Sequence, residues 1–264
     1  MSNPRPVALV TGASAGIGLE LARVLAADHD LILTARREAE LQSLAAELQA
    51  RGAACRVIPV DLAEPGGPQR LFDAIAAAGL SVDVLVNNAG FGDFGPFAAA
   101  DRSKLLRMIQ LNVAAFTELI GLVLPVMKLR GRGQILNVGS VAGFQPGPMM
   151  AVYYATKAYV NSLSQALSYE LGSFGITVTC LCPGPTDSEF GAAAGFDMAK
   201  AFSVGHRMTA RAVAEAGVKA MRQGKVLVIP GWRNRLMIFL ERVTPRWLVI
   251  RAVRWMLGKR RRLT

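Results

Sequence analysis

The sequence predicts an α/β fold, a single doubly wound parallel sheet covered by helices, and three observations carry that expectation. Short apolar and β-branched runs alternate with longer helical stretches along the chain. The first run, Val7 to Val10, leads directly into a glycine turn, Thr11-Gly12-Ala13-Ser14-Ala15-Gly16-Ile17-Gly18. The 264 residues are 52% hydrophobic and hold no Ser, Gly or Pro tract that would mark an internal linker, which suits one sizeable core. Residues 1–231 are read as this domain and 232–264 as a basic amphipathic helical extension.

Taken in order, strands are expected at 7–11, 31–35, 56–60, 84–87, 134–138, 177–181 and 226–229, with helices in the intervals. The longest helices are expected over 101–129 and 150–173, with Asp101 placed to cap the first. The longest uncharged stretch, 133–156, exceeds bilayer-spanning length but contains Gln134, Asn137, Gln145, Pro146, Pro148 and four glycines. It reads as strand, loop and helix start, not as a membrane span.

Strand-like residues begin at Val7, which leaves no room for a leader with an apolar core and cleavage site. A cytoplasmic protein is the expectation. Three cysteines, Cys55, Cys180 and Cys182, and two histidines, His29 and His206, give neither a disulfide framework nor a metal-ligand spacing.

The glycine turn has the spacing G-x-x-x-G-x-G, between a buried strand and a helix start. Glycines let backbone approach a pyrophosphate, and the N–H groups and dipole of the following helix favour its charge. The spacing departs from the commoner G-x-G-x-x-G fingerprint, so alone it also fits a turn that binds nothing. An acid about 20 residues on would accept the ribose 2′-hydroxyl of NAD, but that place reads Thr34-Ala35-Arg36-Arg37. Arg36 and Arg37 would attract a 2′-phosphate, so NADP(H) is preferred over NAD(H), unless both simply begin a solvated helix. Asp61-Leu62 after the third strand offers an acid to an adenine amino group, and Asn87-Asn88-Ala89-Gly90 after the fourth suits a turn against the cofactor.

Tyr153 and Lys157 are four residues apart and follow Ser140. On a helix they share a face, where the ammonium can stabilise a phenolate and make the tyrosine a usable acid or base. Tyr154 and Tyr159 compete as the reactive phenol, but only Tyr153 has lysine at i+4.

With these motifs in order, Gly12, Gly16 and Gly18, then Asn87 to Gly90, Asn112, Ser140, Tyr153-x-x-x-Lys157 and Pro183-Gly184, the chain resembles the short-chain dehydrogenase/reductase superfamily. The resemblance runs from about Val7 to Ile229 and looks closest to bacterial DltE-type oxidoreductases. It implies a Rossmann fold and hydride transfer between nicotinamide and a carbonyl or secondary alcohol, with Tyr153 as general acid/base. It further implies that Ser140 holds the substrate oxygen and that Lys157 tunes Tyr153 and binds the nicotinamide ribose. Asn112 would anchor a proton-relaying water, or else be a helix-surface amide. The cofactor would lie against Gly12, Ser14, Gly16, Ile17, Gly18, Arg36, Arg37, Asp61, Leu62, Asn88, Ala89 and Gly90, and against Tyr153, Lys157, Pro183, Gly184 and Thr186. A homodimer or homotetramer through the two long helices is also implied.

Residues 187–206 resemble the variable substrate loop that closes over the site. Phe190, Phe196, Met198 and Phe202 there would line an apolar pocket or serve as ordinary core, and a small lipophilic carbonyl or alcohol is the substrate expected. The rival reading is a non-catalytic cofactor-sensing or membrane-associated interaction protein on the same fold.

Residues 232–264 hold ten Lys or Arg and one acid, Glu241, and so carry +9 of the net +11. On a helical wheel Leu236, Phe239, Leu240 and Val243 gather on one side. After Pro245, a second segment sets Leu248, Val249, Ala252, Val253 and Met256 opposite Arg251 and Arg254. Two readings stand: peripheral contact with an anionic membrane, at its inner face, or packing of the apolar faces on the body or another subunit. No nucleic-acid recognition motif accompanies the basic charge.

Overall fold

Seven strands, β1 (Val7–Thr11), β2 (Asp30–Thr34), β3 (Cys55–Val57), β4 (Val84–Asn87), β5 (Gly133–Val138), β6 (Ile176–Leu181) and an edge strand at Leu227–Val228, form one all-parallel sheet. Their spatial order is β3-β2-β1-β4-β5-β6-edge. The computed structural model describes residues 5–195 and 207–258. Helices α1 (Gly16–Leu25), α2 (Glu38–Gln49), α3 (Gly67–Ala77), α4 (Arg102–Ile109), α5 (Phe116–Arg130) and α6 (Ala151–Glu170) make the crossovers. Beyond β6 come α7 (Phe190–Ala193), α8 (Ala210–Arg222), α9 (Trp232–Val243) and α10 (Arg246–Gly258).

Helices cover both faces, so the strands are apolar on both sides. Ala8 and Val10 of β1 face a core shared with Leu21, Leu25 and Val213, whereas Leu9 faces Leu85, Phe116 and Ile135 on the other side. The chain reverses direction at β1, which pairs with β2 on one edge and β4 on the other, Val10 lying opposite Leu33 and Val86. A crevice therefore opens beyond the C-terminal ends of β1 and β4.

Strand positions agree with the expectation to within a few residues; the third is shorter, and the last is cut to two residues. The expected helix over 101–129 runs from 102 to 130 but is interrupted by a π-helical turn, Gln110–Ala115, and it contains Pro125. Asp101 caps it, accepting from Ser103 N at 2.8 Å. By length and apolarity this helix could cross a bilayer, yet Phe116, Leu119, Ile120, Val123 and Met127 are buried in the sheet core.

The two helices of the basic extension pack differently. Val249, Val253 and Leu257 of α10 pack on Ala142, Met150 and Tyr154, with Phe94, Tyr153 and Phe190 around them. In α9 only Ile238 is buried, and the apolar side read from the wheel, Leu236, Phe239, Leu240 and Val243, faces outward. Lys259 to Arg262 lie outside the described residues.

Candidate active site

The crevice at the ends of β1 and β4 encloses about 480 Å³ and runs from Arg36, Arg37 and Asp61 to Ser140, Tyr153, Phe190 and Leu257. At its first end α1 starts on Ala15 with no side-chain cap and no acid in the first turn. Its leading N–H groups are thus left for a ligand, and the helix dipole favours an anion there. Gly12 has φ +66°, and a Cβ on Gly18 would fall 2.3 Å from the Gly12 carbonyl oxygen. The turn can close only with glycine at those places.

Thr11 and Asn88 hold this turn from below. Thr11 Oγ1 donates to Val86 O and accepts from the backbone N–H of Asn88 and Ala89 at 2.9 and 3.0 Å. Asn88 Nδ2 donates to Thr11 O at 2.8 Å and more weakly to Gly12 O. Asn88 is therefore a brace for the cradle, while Ala89, Gly90, Ile17 and Leu62 supply wall.

Of the two arginines, Arg37 donates to Ser14 O at 3.2 Å and pairs with Glu189 at 3.0 Å, bridging the glycine turn and the loop after β6. Arg36 is exposed at the mouth and makes no ion pair among the described residues. Asp61 is more committed than expected: one oxygen is paired with Arg107, and the other accepts from Ala63 N at 2.9 Å. Across the crevice, Thr186 Oγ1 donates to Gly184 O at 2.9 Å, and Pro183 and Gly184 line the same wall.

Ser140, Tyr153 and Lys157 meet at the second end. Ser140 leaves β5 in extended backbone, and its Oγ accepts from Ala142 N at 3.0 Å. The Ser140 backbone is clamped by Asn161, which accepts from Ser140 N at 3.3 Å and donates to Ser140 O at 2.9 Å. Tyr153, Lys157 and Asn161 are successive i+4 positions on α6, so one helical face carries phenol, ammonium and clamp.

The expected ammonium–phenol contact takes a different form. Lys157 Nζ donates to Val138 O at 2.7 Å and lies 6.0 Å from the Tyr153 ring centre. Burial pushes the Tyr153 phenol above its ordinary range, an effect opposed by the adjacent Ser140 hydroxyl and reinforced by Tyr154. Burial also pushes Lys157 down to about 8, against the influence of Cys180 and Cys182. Desolvation is the largest influence on both groups, and Lys157 gives one of its three N–H donors to the Val138 carbonyl.

Asn112 is not a surface amide. It is buried in the π turn, donating to Phe91 O at 2.9 Å and Thr156 Oγ1 at 3.1 Å and accepting from Phe91 N at 3.2 Å. Both amide hydrogens are used, so Asn112 ties the loop after β4 to α6, a role the π turn permits by rotating the residue inward. Tyr159 is exposed and bonded to Thr117, whereas Tyr154 is buried edge-on to Tyr153 at 6.2 Å and pushed up to about 12 by that burial.

Around Tyr153 the crevice wall is largely apolar. Phe190 leans on Tyr153 with ring centres 5.0 Å apart, and Phe91, Met150, Tyr154 and Leu257 complete the wall. Phe196, Met198 and Phe202 lie outside the described residues. Sequence reasoning missed Arg107, Asn161 and Leu257. The i+4 spacing from Lys157 could have found Asn161; no local signal marks the other two.

The short chain dehydrogenase family model matches residues 6–198. A very-long-chain 3-oxoacyl-CoA reductase from Phaeosphaeria nodorum is 35% identical over 185 residues, 66% of this chain. The chain spans only 53% of that relative's length. Among solved structures, a short-chain dehydrogenase from Sphingobium yanoikuyae in complex with NADPH is 32% identical, with TM-score 0.81, covering 98% of this chain and 97% of its own. A 3-ketoacyl-(acyl-carrier-protein) reductase from Brucella melitensis complexed with NADH is 26% identical, with TM-score 0.75, covering 86% of this chain and 96% of its own.

Proposed function

The chain belongs to the short-chain dehydrogenase family, and from that premise we propose that it is an NADP(H)-preferring oxidoreductase acting on a carbonyl or secondary alcohol of a lipophilic compound. The observation that carries this reading is one crevice with an uncapped helix N-terminus and two arginines at one end and Ser140, Tyr153 and Lys157 at the other.

The residues present fit a nicotinamide dinucleotide. Gly12, Ser14, Gly16, Ile17 and Gly18 would cradle its pyrophosphate, and Arg36 and Arg37 would meet a 2′-phosphate. Asp61, Leu62, Asn88, Ala89, Gly90, Pro183, Gly184 and Thr186 would line it, with Lys157 toward the ribose. When bound, the dinucleotide supplies or accepts the hydride. The chain's own part is the proton. Tyr153, which burial keeps protonated, carries the proton that the oxygen of a carbonyl being reduced would take, and Ser140 can donate to or accept from that oxygen. In oxidation Tyr153 would have to lose its proton first, with Lys157 the nearest cation on the same helix face.

Phe91, Met150, Tyr154, Phe190 and Leu257 support an apolar substrate, and the 3-oxoacyl-CoA reductase among the relatives is consistent with one. Exposed Leu106, Ile109 and Tyr169 on the two long helices support self-association there.

The test is NADPH and NADH consumption with ketones and aldehydes of increasing chain length. Turnover faster with NADPH, and improving with chain length, is expected. Equal use of both cofactors, unchanged by Arg36→Asp with Arg37→Ala, would remove the NADP(H) preference.

A further inference from the structure

We propose that the outward face of α9 and α10 is a docking surface for an anionic lipid bilayer. On α9, Trp232, Leu236, Phe239, Leu240 and Val243 recur at helical spacing on one side, and all are exposed, Val243 by 72%. A surface helix normally turns that stripe to the core; here the core side offers only Ile238. On α10 the inward stripe Val249, Val253, Leu257 is satisfied by the body, while Trp247 and Trp255 stand out on the opposite side. The exposed apolar surface is therefore additional to the packing the extension needs.

Charge identifies the occupant. Arg233, Arg235 and Arg242 flank the stripe of α9, and Arg246, Arg251 and Arg254 accompany the tryptophans of α10. The guanidinium of Arg233 lies 5.4 Å from the Trp232 ring centre, and that of Arg251 lies 5.9 Å from Trp247. The one acid, Glu241, acts on Arg246, which leaves the other five arginines with no acid on these helices. A two-fold contact with a second copy would set these arginines against themselves. Anionic headgroups pair with arginine, and indole rings with apolar residues between them enter the boundary below. Because α10 walls the substrate end with its other face, the surface would sit beside the mouth of the crevice.

The chain's three tryptophans, Trp232, Trp247 and Trp255, all lie on these helices and are exposed, so their emission reports the contact without a label. Full-length protein should pellet with phosphatidylcholine vesicles containing phosphatidylglycerol, with a blue shift, and not with phosphatidylcholine alone. Added salt should reverse the binding. Arg242→Gln should weaken partition about fivefold. Phe239→Glu with Val243→Glu should abolish it while leaving the circular dichroism unchanged, and Phe97→Glu, in the loop after β4 and equally exposed, should bind as wild type. No pelleting with the anionic vesicles at low salt, or equal pelleting of the Phe239/Val243 variant, would overturn the proposal. So would concentration-dependent self-association lost in that variant, which would assign the face to a second copy. No cofactor or substrate is present in this experiment, so it fails or succeeds apart from the catalytic reading.

Discussion

The two ends of the crevice are built by different means. The nucleotide end is backbone held by short-range and neighbouring-strand hydrogen bonds: a glycine turn, an uncapped helix start, and Thr11 and Asn88 joining β1 to β4. The substrate end is side-chain packing among elements far apart in sequence, bringing Ala142, Met150 and Tyr154 together with Phe190 and with Val253 and Leu257 of the last helix. Backbone geometry admits few residue types and tolerates little change, whereas apolar walls can be resized. One fold can therefore keep its cofactor chemistry while its substrate varies.

The largest effect that would break this contrast is at Gly18. A Cβ there would meet Gly12 O at 2.3 Å and Asn88 Nδ2 at 2.4 Å, so Gly18→Ala should destabilise the turn by about 1–3 kcal/mol and abolish NADPH binding by calorimetry. A variant that binds normally would show the turn to be plastic. Next is Asn161, the clamp on Ser140. Asn161→Ala leaves two buried backbone groups of Ser140 unpaired, at about 1–3 kcal/mol. Turnover should fall by about tenfold or more, with NADPH affinity little changed; an equal loss of both would make Asn161 merely structural.

A smaller effect concerns pH. Burial holds Lys157 at about 8 against an ordinary 10.5, so the folded state binds fewer protons than the unfolded one between those values. Its contribution to stability is present above 10.5 and is lost as pH falls through about 8. Wild type should gain melting temperature relative to Lys157→Met as pH rises across that interval, and parallel curves would show that the site admits enough water to charge the amine freely. The smallest effect belongs to the far wall: Leu257→Ala should change discrimination between long and short carbonyl substrates by about 1–3 kcal/mol, read as kcat/KM ratios, with the cofactor KM unmoved.

The same contrast explains what was legible in the sequence. The glycine turn, the arginines after β2 and the Tyr153 and Lys157 spacing are local patterns, and the structure brings all of them to one crevice. Asn112 was visible but its work was not, because a π turn inside an apparently regular helix rotates it toward Phe91 and Thr156. The Lys157–Tyr153 relation was read from helical spacing alone, which cannot register that Val138 O competes for the ammonium or that burial dominates the phenol. Leu257 and Arg107 reach the crevice by tertiary folding, so nothing near them in the chain announces it. In the extension, the wheel found two amphipathic helices but not their orientation, since α10 buries Val249 and Val253 of its apolar side and leaves Leu248 exposed, whereas α9 turns its apolar side out.

The central claim is that proton transfer at Tyr153 is separable from nucleotide binding in the same crevice. Calorimetric titration with NADPH, paired with carbonyl turnover, on wild type and Tyr153→Phe tests it most directly. The variant should bind NADPH as wild type does and lose turnover by about 10²–10⁴-fold. Undiminished turnover in the variant, or no NADPH binding by either protein, would contradict the account.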